Sequence, residues 1–120
     1  MKYIKKFNES SSEYYEEIEN TYLIYDFFKD AAGVFGNTID IKKVYFDEIK
    51  HRLKTDDYQI EKYGNFIRIN SNGSNYNYEI GQDNDEWFYV QVKITSRDVY
   101  YKCDQFEGLI KFLEDFHVIN

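Results

Sequence analysis

Two histidines, one cysteine and one cluster of carboxylates carry what reactive chemistry this chain has. His51 sits in the charged run Lys50-His51-Arg52, and His117 lies near the last residues. A nucleophile needs a base within hydrogen-bond reach, and the spacing pairs Cys103 with neither histidine. A free cysteine usually behaves as a small buried hydrophobe, so Cys103 is read as inert core. No His-Glu-x-x-His, paired cysteine, Gly-x-Ser-x-Gly or phosphate-loop pattern occurs. Apart from carboxylate-only sites, these residues point away from an enzyme; the alternative of a small enzyme or ligand-binding domain requires a concave pocket holding perturbed carboxylates or Cys103.

Asp83-Asn84-Asp85-Glu86 concentrates oxygen ligands. Trp87 then stands where a calcium-binding loop wants another Asp or Asn, and the loop glycine is missing. The stretch is read as a solvated inter-strand loop, with no metal and no cofactor. Tyr15-Glu16-Glu17-Ile18 matches a phosphotyrosine recognition string, but inside a predicted helix that match is read as chance.

Binding chemistry is better represented. Glu13, Glu16, Glu17 and Glu19 form an acidic group able to steer a basic partner. Trp87, Tyr89 and Tyr100, joined by Tyr63, alternate away from an apolar set. If helices cover one sheet face only, these aromatics form a protein-binding patch. If helices cover both faces, they are core.

The elements that position these residues are organised around Glu86 to Ile94. Phe88, Val90, Val92 and Ile94 fall on one side of a strand there, and Trp87, Tyr89, Gln91 and Lys93 on the other. Val99 to Cys103 reads as its partner strand. Upstream, Tyr58–Lys62 and Asn65–Asn70 form a hairpin across Tyr63-Gly64, and Asn72-Gly73 turns the chain into a strand over Asn75–Ile80. Residues 58–103 therefore predict a five-stranded antiparallel meander. Asp104 with Glu107 forms a capping box for a last helix, with Phe106, Leu109, Ile110, Leu113 and Phe116 as its apolar stripe. Residues 117–120 are expected to fray.

Before the sheet, Ser10 with Glu13 makes a second capping box. It predicts a helix carrying Tyr14, Tyr15, Ile18 and Tyr22, although Tyr22 to Phe28 is aromatic enough for a strand. Thr38 or Asp40 caps another helix, with Ile41, Val44, Tyr45, Ile49 and Leu53 on one face. The expected fold is α+β: N-terminal helices, a five-stranded antiparallel meander sheet, and a C-terminal helix packed on one face. In shape, that order is similar to small helix–sheet–helix domains such as frataxin.

Composition sets the limits. A chain of 120 residues makes one domain over residues 10–120, preceded by a basic segment over 1–9. With 13 Tyr, 10 Phe and one Trp, its core must be aromatic. The net charge of -7 gathers early: residues 9–30 hold seven acids against Lys29. No basic face is visible beyond the three lysines of residues 1–8, so direct nucleic-acid binding is not expected. No apolar run approaches the ~20 residues of a membrane span, and the single cysteine excludes an internal disulfide.

Residues 1–10 resemble the capsid-targeting peptides of the internal head proteins of T4-like phages. Those peptides are short, begin Met-Lys, and end in an apolar residue, any residue and Glu, after which the head-maturation protease cuts. Met1-Lys2 opens this chain, and Phe7-Asn8-Glu9 precedes Ser10. The resemblance implies Glu9 as the cleavage position and Ser10 as the new terminus. It further implies a phage-encoded protein of the host cytoplasm or virion interior, either an inhibitor of a host defence protein or a virion component. Phe7 and the three lysines depart from the commonest form of the peptide.

Overall fold

The computed structural model describes residues 14–18, 38–73, 75–95 and 97–120. Among them lie seven strands and two helices. The strands are β1 (Tyr15–Ile18), β2 (Thr38–Ile39), β3 (Tyr58–Tyr63), β4 (Phe66–Ser71), β5 (Asn77–Asp83), β6 (Trp87–Lys93) and β7 (Asp98–Asp104); the helices are α1 (Lys43–Arg52) and α2 (Gln105–Asp115). One antiparallel sheet runs in the order β1-β7-β6-β5-β4-β3, with β2 paired to the end of β5.

The five consecutive strands β3 to β7 arise where alternation predicts them. Gly64 takes a φ of 61° in the β3–β4 turn, a left-handed conformation that glycine adopts without strain. Register then places Tyr78 and Ile80 opposite Val92 and Val90, and Val99, Tyr101 and Cys103 opposite Val92, Val90 and Phe88. This apolar face is covered by the helices. Ile49 of α1 and Leu109, Phe112 and Leu113 of α2 are fully buried against it. Tyr45 of α1 stacks on Phe106 of α2 with ring centroids 4.4 Å apart, and its edge meets Phe88 at 5.6 Å. Both helices therefore sit over the β6 strand that organises the sheet.

The expected N-terminal helix is corrected. Tyr15–Ile18 is a strand, antiparallel to β7, with Tyr15 opposite Cys103 and Ile18 opposite Tyr100. Helical spacing put Tyr15 and Ile18 on one face; as a strand, Tyr15 and Glu17 point to the helix side and Glu16 and Ile18 to the other. The reason is tertiary. β7 offers an open edge, and the Tyr15 ring enters an aromatic cluster with Phe112 (5.2 Å), Tyr101 (6.1 Å) and Phe116 (6.5 Å). Its hydroxyl donates to Asp115 Oδ2 at 2.7 Å. Four local residues of helix propensity cannot outweigh that burial. The Ser10 capping box, Glu13, Glu19, Tyr22 to Phe28 and the whole 1–9 segment lie outside the described residues.

The five-stranded meander is corrected with it. β1 adds a sixth strand beyond β7, and β2 pairs with β5, so the sheet is wider than the meander. The helix–sheet–helix order does not hold, because the earliest described element belongs to the sheet. Three smaller expectations also change. Thr38 lies in β2 and α1 is capped at Lys42 without a side-chain hydrogen bond. Asp104 does precede α2, yet its side chain makes no cap bond. Residues 117–120 do not fray: Val118 and Ile119 are buried, Ile119 bridges to Leu53, and Lys54 N–H donates to the Val118 carbonyl. Arg52 ties this tail down by ion-pairing Glu114 and donating to the Asn120 carbonyl at 2.6 Å. No helix among the described residues is long and apolar enough to cross a membrane.

Candidate functional site

The sheet face opposite the helices collects the polar and aromatic side chains. Period-2 alternation puts Trp87, Tyr89, Gln91 and Lys93 of β6 there, and the register adds Lys102 opposite Tyr89 and Tyr100 opposite Gln91. Trp87, Tyr89 and Tyr100 thus share one face, and all three are half-buried. Tyr63 lies at the far end of the face on β3 and is exposed.

One row crosses six strands: Glu61, Arg68, Glu79, Gln91, Tyr100, Ile18. Its members hold one another. Arg68 donates to Glu79 Oε2 through Nε at 3.0 Å and Nη2 at 2.7 Å. Its guanidinium also lies 5.1 Å from the Tyr63 ring centroid, while the Tyr63 hydroxyl bonds Glu61. Gln91 Nε2 donates to Asp98 Oδ2 at 2.7 Å and to the Tyr100 hydroxyl at 3.4 Å. Glu79 is 8% and Gln91 7% exposed, so the charge of Glu79 is tolerated because Arg68 answers it. Beside this row, Arg68, Asn70, Asn77, Glu79 and Lys93 border an open polar recess of ≈ 300 Å³.

The next row runs Gly81, Tyr89, Lys102, Glu16, and Trp87 follows at the start of β6. Lys102 Nζ stands 4.2 Å from the Trp87 ring centroid and 6.0 Å from that of Tyr89. Asp83 fixes both aromatics from the β5–β6 turn. Its Oδ1 accepts the N–H groups of Asp85 (2.9 Å) and Trp87 (3.0 Å), and its Oδ2 accepts the Tyr89 hydroxyl at 3.1 Å. Glu86, at a φ of 71°, completes the turn. The oxygen-rich loop thus spends its first carboxylate on its own backbone and on Tyr89. No group of three or more His, Cys, Asp or Glu side chains able to hold a metal occurs among the described residues.

The remaining candidates are not brought together. Glu16 and Glu17 lie on opposite faces of β1, so they cannot act as one acidic helix face. Cys103 points into the helix side, fully buried, and that burial pushes its thiol well above its ordinary pKa. His51 and His117 are exposed. Sequence reasoning missed the Arg68–Glu79 pair and the Lys102 seat on Trp87. Both follow from reflecting each hairpin about its turn, which sets Arg68 against Glu79 and Lys102 against Tyr89.

Comparison of the chain with protein-family models, curated proteins and solved structures returns no match.

Proposed function

We propose that this chain is a non-enzymatic protein-binding domain that engages and modulates a partner protein through the face carrying Trp87, Tyr89 and Tyr100. The observation that supports it is the preorganisation of that face. One Trp, two Tyr, an Arg and a Lys are held in fixed rows by cross-strand hydrogen bonds and ring contacts. Trp, Tyr and Arg are the residues most enriched at interface hot spots. Side chains already ordered lose little entropy on binding. The net charge of -7 favours a basic partner and disfavours nucleic acid. Of the four glutamates read as steering such a partner, Glu16 shares this face of the sheet.

The setting of this reading comes from residues 1–10, whose resemblance to capsid-targeting peptides suits a phage-encoded inhibitor of a host protein. The same Phe7-Asn8-Glu9 string before Ser10 favours a second reading, a virion component processed at Glu9.

The test is affinity capture with the tagged full chain from lysate of the organism in which it acts. A Trp87→Ser, Tyr100→Ser double variant, checked for folding by circular dichroism, is run beside it. A control variant carries Val44→Ser on the helix side, at an exposed position. A stoichiometric partner retained by the control and lost from the face variant supports the proposal. A partner held equally by all three refutes the assignment of this face. Capsid proteins as the captured partner would favour the virion reading.

A further inference from the structure

The geometry points to the Trp87 ring as a seat for a partner's cationic side chain, which Lys102 fills until that partner arrives. This inference rests on the protein-binding reading above and names the chemistry of the contact. Lys102 makes no salt bridge among the described residues, although Glu16 stands opposite it on β1 and acidic residues flank Trp87. Asp83 is bonded to the Trp87 N–H, Glu86 precedes Trp87, and Asp104 is its cross-strand partner. The ammonium instead lies over the indole at 4.2 Å. An indole face flanked by carboxylates attracts cations by quadrupole and by net charge together.

A lysine is not the best occupant of such a seat. A guanidinium is planar, stacks on an aromatic ring and is less strongly hydrated than an ammonium. An arginine on an exposed basic segment of the partner would therefore displace Lys102, leaving the Lys102 ammonium free to turn towards solvent. The indole is half-buried rather than sealed, while Asp83 holds the backbone at Trp87 in place. Lys102 acts as an internal competitor that lowers the affinity for any cation too weak to replace it.

Trp87 is the one tryptophan in the chain, so its fluorescence reports the seat directly. The full chain is titrated with the acetylated, amidated peptide Gly-Arg-Gly-Arg-Gly, and with the same peptide carrying neutral citrulline for arginine. Saturable change in Trp87 emission with the arginine peptide and none with citrulline is the expected result. Lys102→Met keeps the apolar stem, removes the competing charge and should tighten the arginine peptide about fivefold. Trp87→Phe should weaken binding and Trp87→Leu abolish it, both read by calorimetry on variants of native circular dichroism. The inference is overturned if wild type and Lys102→Met both give no saturable signal, if citrulline binds equally, or if Trp87→Leu binds like wild type. Should the peptide fail while the Trp87/Tyr100 face variant still loses its captured protein, the cation seat is wrong and the protein-binding face stands. If the peptide binds but the face variant keeps its protein, the seat stands and the broader reading fails.

Discussion

The main-chain oxygen of Tyr14 occupies the space that a β-carbon on Gly108 would need. The same oxygen accepts the Asp104 N–H at 2.8 Å, so it cannot simply retreat. An alanine in a helix is ordinarily about 1 kcal/mol better than a glycine. Here the added methyl meets backbone rather than a pliable side chain, and overpacking of that kind costs about 1–3 kcal/mol. Gly108→Ala is therefore expected to destabilise the chain by about 1–2 kcal/mol. Amide protection should be lost first at Tyr15–Ile18. Denaturant unfolding combined with hydrogen exchange checks this, and a variant that gains stability would show that β1 does not press on α2.

Tyr15 is the side chain that holds β1 down. Removing only its hydroxyl, in Tyr15→Phe, takes away the bond to Asp115 while Lys111 still answers that carboxylate at 3.3 Å. The expected loss is about 1 kcal/mol. Tyr15→Ala also empties the cluster formed with Phe112, Tyr101 and Phe116, for a loss of about 2–3 kcal/mol. Equal effects of the two variants in urea melts would mean that the ring contributes nothing beyond its hydroxyl.

Arg68→Met should cost about 1–2 kcal/mol, because it leaves the nearly buried Glu79 carboxylate without its cation. The figure is kept low because the Arg68 side chain is 42% exposed and solvent screens part of the interaction. Adding Glu79→Met should recover most of the loss, since two apolar groups leave no stranded charge. A double-mutant cycle measures the coupling, and a value near zero would reduce the pair to an ordinary surface contact.

Alkaline pH should unfold the protein from the helix side of the sheet. Burial pushes the Tyr101 hydroxyl up to about 12 from its ordinary 10.0. It raises Tyr78 further and Cys103 well above its usual value. A raised folded pKa means the native state favours the protonated form. That stability is complete below the unfolded pKa and falls as pH climbs from about 10 towards about 12. Denaturant midpoints at pH 8, 10 and 11 should decline in that window. Tyrosinate absorbance should show a late component that merges with the rest on unfolding. All 13 tyrosines titrating together in the native state would contradict it.

What the sequence reveals depends on how local the deciding forces are. The strands from Tyr58 to Asp104 and helix α2 are legible because alternation, Gly64 and an apolar stripe each act over a few residues; Asn72-Gly73 takes no left-handed turn, and the link from Ser71 to Asn77 is longer than read. The common face of Trp87, Tyr89 and Tyr100 follows from the same alternation. Tyr15-Glu16-Glu17-Ile18 is not legible, because its conformation is decided by a partner strand and by Asp115, 100 residues further on. For the same reason Val118 and Ile119 read as a loose tail until Leu53 and Lys54 are seen beside them. Arg68 with Glu79 and Lys102 with Trp87 fall between these cases, since they need the hairpin register as well as the pattern.

The seam between β1 and β7 also has a consequence for biosynthesis. Tyr14–Ile18 leaves the ribosome before any residue it docks on exists, and Asp115 follows it by 100 residues. At roughly 5–20 residues per second, translation keeps that strand waiting on the order of 5–20 s. Strands β3 to β6 can zip in sequence as they emerge, each beside its predecessor. The first of the described strands is therefore placed last, and the nascent chain stays open along β7 until α2 is complete. Its brevity and its two glutamates then serve a second purpose, because a short charged strand is a poor template for another unfinished chain.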